Sequence, residues 1–178
     1  MSKTTKILIA GFGGQGVLFT GKALAFTGLK VGMEVSWLPS YGPEMRGGTA
    51  NCSVIISDSP VGSPIVTYPD VLLAMNLPSL DKYENDIVKG GKVIIDSTLI
   101  SRKVVREDIS AFYIPATKMA ADNGTPTLAN MIMLGKMIKE TGIVSFDNAC
   151  EAMKKVVSAK HADLLEANIN ALKLGYNY

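Results

Sequence analysis

The chain has 178 residues, of which 47% are apolar, and its 18 basic and 16 acidic residues give a net charge of +2. This length predicts a single domain over 1–178, and the balanced charge, with three scattered arginines, predicts no nucleic-acid partner. Cys52 and Cys150 are far apart and outside any C-x-x-C motif, so neither a metal site nor a disulfide framework is expected. The sequence has no signal peptide and no apolar run of membrane-spanning length, so we expect a soluble cytoplasmic protein with no membrane association.

Short β-rich runs alternate with helical patterns along the chain. In chain order we predict a strand at 6–10, a helix at 14–29, strands at 34–38, 49–57 and 71–75, a helix at 79–89, strands at 92–96 and 112–114, and helices at 125–141, 145–159 and 161–174. The segment 39–48 is predicted as a loop. This alternation predicts a three-layer α/β sandwich, with helices on both faces of a largely parallel or mixed central sheet.

A glycine-rich turn lies between the first predicted strand and the first predicted helix. Its sequence Gly11-Phe12-Gly13-Gly14-Gln15-Gly16 matches G-x-G-x-x-G, and a helix N-terminus in that position offers unpaired N–H groups to an anion. Lys22 has the reach to meet the same anion, because helical side chains lean back toward the N-terminus. The candidate phosphate-binding residues are Gly11, Gly13, Gly14, Gln15, Gly16 and Lys22. The alternative is that these glycines only permit a tight turn and close packing of helix on strand.

The residues around this loop argue against two common nucleotide sites. A dinucleotide site needs an acid at the carboxyl end of the second strand, but that end reads Leu38-Pro39, and Glu34 lies at the other end. A P-loop needs Ser or Thr after its Lys to hold magnesium, and here Ala23 follows Lys22. The remaining possibility is an anion site that uses neither an acid for a ribose nor a hydroxyl group for magnesium.

A second unusual loop, 40–49, follows the carboxyl end of a predicted strand, where open α/β sheets place their sites. It combines an acid, an arginine, a tyrosine and several glycines, although a plain turn with a local Glu44–Arg46 pair would also explain them. Asn76 follows another predicted strand. The candidate cleft or interface residues are Tyr41, Glu44, Arg46, Asn76 and Asn130.

The glycine turn followed by Tyr41-Gly42-Pro43-Glu44-Met45-Arg46-Gly47-Gly48 resembles the gamma subunit of the 2-oxoacid:ferredoxin oxidoreductases. The likeness continues through 49–57, 69–76, 91–96 and 130–135, so it covers nearly the whole chain. It implies a subunit of an enzyme that oxidatively decarboxylates a 2-oxoacid with coenzyme A, giving an acyl-CoA and CO2 and reducing ferredoxin.

The resemblance also implies how the work is divided among subunits. Thiamine diphosphate, Mg²⁺ and iron–sulfur clusters belong to the partners, which are alpha and beta subunits and a small ferredoxin-like subunit. This chain would then hold no catalytic residue and no metal. Its glycine loop and Lys22 would face the phosphates of coenzyme A, and Arg46 would contact coenzyme A or face the thiamine subunits. The motif ranks 2-oxoglutarate first among substrates, branched-chain 2-oxoacids second and pyruvate third.

Two other functions stay open. The first is a self-sufficient nucleotide-binding enzyme, such as a dehydrogenase or NTPase, against which Leu38 and Ala23 argue. The second is a structural subunit of the complex without any ligand. The apolar composition, together with the partners that the resemblance implies, predicts a homodimer or a soluble oligomer when the chain is made alone.

Overall fold

The computed structural model describes residues 3–41, 49–157 and 162–178. In this part of the chain a six-stranded sheet has the order β2-β3-β1-β4-β5-β6. The strands are β1 (Thr4–Phe12), β2 (Glu34–Tyr41), β3 (Thr49–Ser57), β4 (Val71–Ala74), β5 (Lys92–Asp96) and β6 (Ser110–Ile114). Parallel pairing joins β1, β4, β5 and β6, whereas β3 runs antiparallel between β1 and β2. The sheet is therefore mixed.

Helices cover both faces of this sheet. They are α1 (Val17–Lys30), α2 (Leu77–Tyr83), α3 (Ala116–Asp122), α4 (Ala129–Thr141), α5 (Phe146–Val156) and α6 (Ala162–Asn177), with 3-10 turns at Glu84–Asp86 and Pro126–Leu128. Ile9 in β1 points to one face of the sheet, into a large core shared with all of these helices except α2. Its neighbour Leu8 points to the opposite face, where it packs in a smaller core with Leu80 of α2. The three-layer α/β sandwich is thus confirmed. None of the described helices is long and apolar enough to cross a membrane.

The second strand is longer than the sequence predicted. Pro39, Ser40 and Tyr41 were expected in a loop, but they continue β2 in register with β3. Proline is tolerated there because β2 lies at the edge of the sheet, where a missing N–H group leaves no ladder partner unpaired. The true carboxyl end of the strand also lacks an acid, and Glu34 pairs with Ser57 at the opposite end.

The helix boundaries differ from the prediction in several places. The predicted helix at 79–89 is instead α2 followed by a 3-10 turn, and the one at 125–141 begins with a 3-10 turn before α4. The sequence missed α3 altogether, because its two buried residues, Ala116 and Ala120, are too few to reveal a helical period. The predicted helix at 145–159 ends at Val156 in the structure, and residues 158–161, including His161, lie outside the described part.

Two glycines let α4 and α6 cross in backbone contact. A Cβ atom added to Gly135 would lie 2.8 Å from the backbone nitrogen of Tyr176 and closer still to the carbonyl oxygen of Leu172. A Cβ atom on Gly175 would lie 2.6 Å from the carbonyl carbon of Ile132. The helical layer that supports the glycine turn therefore depends on these two residues having no side chain.

We expect Gly135→Ala to lower the free energy of unfolding by about 1–3 kcal/mol, because the added methyl group forces the two helices apart. Gly62→Ala is the matched control, since no atom lies within 4 Å of its added Cβ position. Urea unfolding can be followed by fluorescence of the single tryptophan, Trp37. Equal stability of the two variants would contradict the close crossing.

Candidate functional site

The carboxyl ends of β1 and β4 form a crevice at the point where the chain changes direction across the sheet. After β1, α1 packs on the larger core and the chain continues to β2, whereas after β4, α2 packs on the other face and leads to β5. The two strands are parallel neighbours, with Ala10 opposite Ala74. Open α/β sheets bind ligands at such a switch point, outside the carboxyl ends of the strands. The glycine loop lies at this point.

The side chain of Gln15 ties the glycine loop to the neighbouring strand connection. Its Oε1 atom accepts a hydrogen bond of 2.6 Å from the N–H group of Phe12, and its Nε2 atom donates to the carbonyl oxygen of Met75 at 3.1 Å. A Cβ atom on Gly11 would meet Gln15 Oε1 at 2.7 Å, so Gly11 makes room for this brace. Gln15, expected to face a phosphate, has both polar atoms engaged with the backbone.

The first turn of α1 has no cap from a side chain. Gly16 occupies the N-cap position with φ 77° and ψ 19°, in the left-handed region, and the first turn contains no acidic residue. Among the described residues, the N–H groups of Gly14, Gly16, Val17 and Leu18 have no acceptor. By contrast, Asn76 caps α2 and Ser145 caps α5 with side-chain oxygens. α3 and α4 also lack a side-chain cap, so what distinguishes α1 is that its uncapped first turn lies at the switch point, where an external acceptor can reach it.

Two buried asparagines flank the glycine loop. Asn130 is 4% exposed, and its Nδ2 atom donates to the carbonyl oxygen of Gly16 at 3.3 Å and to Thr20 Oγ1 at 3.2 Å. Asn76 is 2% exposed and accepts a hydrogen bond of 2.8 Å from the N–H group of Ser79. Both were expected in the cleft or at an interface, and in the structure both are buried, Asn130 against Gly16 and Asn76 as the N-cap of α2. Thr20 was not singled out by the sequence.

A cavity of about 420 Å³ opens beside the glycine loop. Gly16, Phe19 and Asn130 line it together with the 3-10 turn before α4, the end of α5 and, from α6, Leu164 and Asn168. A larger cavity, about 830 Å³, lies elsewhere, as an open groove between α6 and the turn at 123–125. The smaller cavity is the one that adjoins unpaired N–H groups, so we regard it as part of the candidate site.

Lys22 does not contact the loop directly. Its side chain is exposed, and its ammonium lies 5.9 Å from the centre of the Phe26 ring. It forms no ion pair with any residue in the described ranges. The charge of Lys22 is therefore available to a ligand if the side chain turns toward the loop.

Of the second loop found in the sequence, 40–49, the structure describes only the two ends. Tyr41 pairs with Ala50 at the end of β2, and Thr49 pairs with Phe12 beside the glycine loop. Both ends thus lie at the carboxyl edge, next to the crevice. Glu44 and Arg46 fall outside the described residues.

No group of three His, Cys, Asp or Glu side chains in the described ranges could hold a metal ion. Asp96 is the last residue of β5, at the same edge of the sheet, and is fully buried, but its carboxylate accepts hydrogen bonds from its own turn and from α3. It accepts hydrogen bonds of 3.0 Å from the N–H group of Thr98 and of 2.6 Å from Thr117 Oγ1. Asp96 therefore anchors the loop that follows the strand.

The two cysteines are not activated as nucleophiles. Burial raises the pKa of the Cys52 thiol to about 12, and its Sγ atom donates to the carbonyl oxygen of Val17 at 3.5 Å. Burial, followed by the charges of Asp147 and Glu151, also raises the pKa of Cys150. Both thiols remain protonated at neutral pH.

We expect a thiol reagent at pH 8 to label only Cys150 in the folded chain, because Cys52 is both inaccessible and protonated. Both thiols should react at equal rates in denaturant. Mass spectrometry of peptides from partly labelled protein shows which of the two cysteines reacts first. Rapid labelling of Cys52 in the folded state would contradict its burial.

The fold and the uncapped helix define a doubly wound α/β domain with a candidate anion site at its switch point. Comparison with known proteins gives the family. The chain belongs to the pyruvate ferredoxin/flavodoxin oxidoreductase family, whose model matches residues 6–178. This result confirms the resemblance that the two sequence loops suggested.

Curated relatives fall into two groups of different length. The ketoisovalerate oxidoreductase subunit VorA of Methanothermobacter thermautotrophicus is 42% identical over 172 residues, which are 96% of this chain and 35% of the relative. The 2-oxoglutarate synthase subunit KorC of Methanocaldococcus jannaschii is 37% identical over 175 residues, which are 96% of this chain and 91% of the relative. The chain thus spans about a third of VorA and nearly all of KorC.

Solved structures share the fold. The gamma subunit of a keto/oxoacid ferredoxin oxidoreductase from Geobacter sulfurreducens superposes with a TM-score of 0.85 at 32% identity, covering 98% of this chain and 95% of that one. A 2-oxoglutarate:ferredoxin oxidoreductase from Magnetococcus marinus, solved with 2-oxoglutarate, coenzyme A and succinyl-CoA bound, gives a TM-score of 0.89 at 24% identity. The match covers 98% of this chain and 31% of that one.

We expect Gly16→Ala to destabilise the chain more than Gly14→Ala. Both glycines have positive φ, at 77° and 95°, so either substitution forces a left-handed side chain, at a cost of about 1–3 kcal/mol. Only at Gly16 does the added Cβ also collide with Asn130, which adds about 1–3 kcal/mol of overpacking, whereas Gly14 faces open space. Urea unfolding of the two variants measures this difference, and equal losses would contradict the contact with Asn130.

Proposed function

We propose that this chain is the gamma-type subunit of a coenzyme A-dependent 2-oxoacid:ferredoxin oxidoreductase, and that its glycine loop binds the phosphates of coenzyme A. The observation that carries the proposal is the uncapped first turn of α1. Unpaired N–H groups and the positive end of the helix dipole favour an anion there.

The neighbouring residues favour coenzyme A over other nucleotides. The described carboxyl end of β2 carries no acid for a nicotinamide ribose, and Ala23, which is buried, supplies no hydroxyl for magnesium. The phosphates of coenzyme A can be bound without an acid for the ribose and without a hydroxyl group for magnesium. The solved oxidoreductase that shares this fold carries coenzyme A, which makes it the first ligand to test.

Chemistry at the oxo group belongs to partner subunits in this proposal. An iron–sulfur cluster needs several thiolates, and the chain has two isolated cysteines whose pKa values are raised. The described residues also offer no carboxylate cluster for Mg²⁺. Alpha and beta subunits with thiamine diphosphate, and a small ferredoxin-like subunit that passes electrons to ferredoxin, complete the enzyme. This chain then holds and orients one substrate.

The favoured 2-oxoacid is 2-oxoglutarate. This choice is supported by the KorC relatives, which match this chain over nearly their whole length. A branched-chain 2-oxoacid is the second candidate, because VorA is the relative with 42% identity. Assay of the assembled complex with 2-oxoglutarate, 2-ketoisovalerate and pyruvate in turn, each with coenzyme A and ferredoxin, tests the ranking.

Lys22→Ala in the assembled complex should raise the KM for coenzyme A by about 5- to 30-fold. This range corresponds to roughly 1–2 kcal/mol, the contribution of a partly exposed charged hydrogen bond. Lys30→Ala is the matched control, because Lys30 is also exposed but ends the same helix far from the loop. The KM for the 2-oxoacid should stay constant in both variants.

Steady-state kinetics with each substrate varied in turn measure these constants. Added salt should weaken coenzyme A binding in the wild type more than in Lys22→Ala, because screening removes the same interaction. An equal KM for coenzyme A in all three proteins would assign Lys22 to the solvated surface. If Gly14→Ala also left that constant unchanged, the chain would be a structural subunit.

A further inference from the structure

The carbonyl oxygen of Gly16 accepts hydrogen bonds from three donors. The N–H group of Thr20 lies at 3.0 Å, Thr20 Oγ1 at 3.0 Å and Asn130 Nδ2 at 3.3 Å. Asn130 Nδ2 also lies 3.2 Å from Thr20 Oγ1, so the three groups close a triangle. Thr20 is fully buried and Asn130 nearly so, which shields the triangle from water.

This arrangement fixes the direction of the next N–H group. The peptide unit between Gly16 and Val17 is planar and trans, so the carbonyl oxygen of one residue and the N–H group of the next point in opposite directions. Three donors hold the Gly16 carbonyl toward the helix, and the Val17 N–H group must therefore point outward. Donors on a carbonyl also polarise its peptide unit, which makes the N–H group a stronger donor.

Asn130 is poorly explained as a packing residue. Its nitrogen must face Gly16, because only the nitrogen can donate to a carbonyl oxygen. Its Oδ1 atom is then left buried without a partner in the described part of the chain, as is the Oδ1 atom of Asn168. An unpaired buried acceptor destabilises a fold, so an apolar side chain would serve packing alone better. The two asparagines differ in their donors: Asn168 donates within its own helix, whereas Asn130 donates from α4 to Gly16 and Thr20 at the glycine loop.

We propose that Asn130 is a positioning residue for the glycine loop, holding the Gly16–Val17 peptide unit so that its N–H group faces the ligand phosphate. The proposal rests on the proposed function for the identity of the ligand, but the geometry of the loop can be measured without any ligand. A residue of α4 thus controls an anion site that the first strand and helix build.

The test compares Asn130→Ala with Thr27→Ala in the full chain. Thr27 is the matched control because it is similarly buried, but its Oγ1 atom donates to Ala23 within its own helix and it does not line the cavity beside the glycine loop. Amide hydrogen exchange by NMR, without ligand, reports the Thr20 N–H group that donates to Gly16. We expect Asn130→Ala to speed this exchange at least tenfold and Thr27→Ala to leave it unchanged.

The second measurement uses coenzyme A in the assembled complex. Asn130→Ala should raise its KM by 5- to 30-fold with no change in the KM for the 2-oxoacid, whereas Thr27→Ala should change neither. If Asn130→Ala does not fold, Asn130→Leu keeps the volume while removing the donor, and it should give the same results.

The outcomes separate the two proposals. Unchanged exchange at Thr20 in a folded Asn130 variant would overturn the positioning role, whatever happens to coenzyme A. Faster exchange together with no binding of coenzyme A by the wild type would support the positioning role and reject the proposed ligand. Equal effects of Asn130→Ala and Thr27→Ala on exchange and KM would reduce Asn130 to an ordinary core residue and overturn the inference.

Discussion

The unpaired N–H groups at the start of α1 are the constraint on which the candidate site depends. Every helix begins with N–H groups that its own backbone cannot satisfy, and a side-chain cap such as the one on α2 or α5 contributes about 1 kcal/mol. Gly16 offers no cap to α1, and no acid stands in its first turn. A helix that forgoes this stabilisation at the switch point of an open sheet is suited to take its acceptor from a ligand.

The surrounding structure keeps this exposed turn in one shape. Gln15 joins it to the connection after β4, and Asn130 joins it to α4, so the loop is held from two sides of the crevice. The α4–α6 crossing in turn fixes α4, because its two glycines bring the helix backbones into contact. A rigid loop loses little conformational freedom when it binds, which favours affinity.

Sequence reasoning recovered the parts of the fold that local patterns determine. The bounds of β3 and β5 were predicted to the residue, because apolar β-branched runs bounded by glycine, proline or serine leave few alternatives. The end of β2 was wrong, since the tolerance for Pro39 depends on an edge position that the sequence does not reveal. The glycine loop was found by its motif, but Thr20 and the inward role of Gln15 were not. Their partners, Asn130 and Met75, are distant in the sequence and adjacent only in the folded chain.

The bond between Asn130 and Gly16 joins residues separated by 114 positions, and this has a consequence for the order of synthesis. A ribosome releases the whole glycine motif and β4 long before it reaches Asn130. A nascent chain of that length carries the motif but has no α4 to set the peptide unit behind it. The peptide unit therefore reaches its final geometry only after most of the domain has been made, and the glycine motif alone does not give a nascent chain this arrangement.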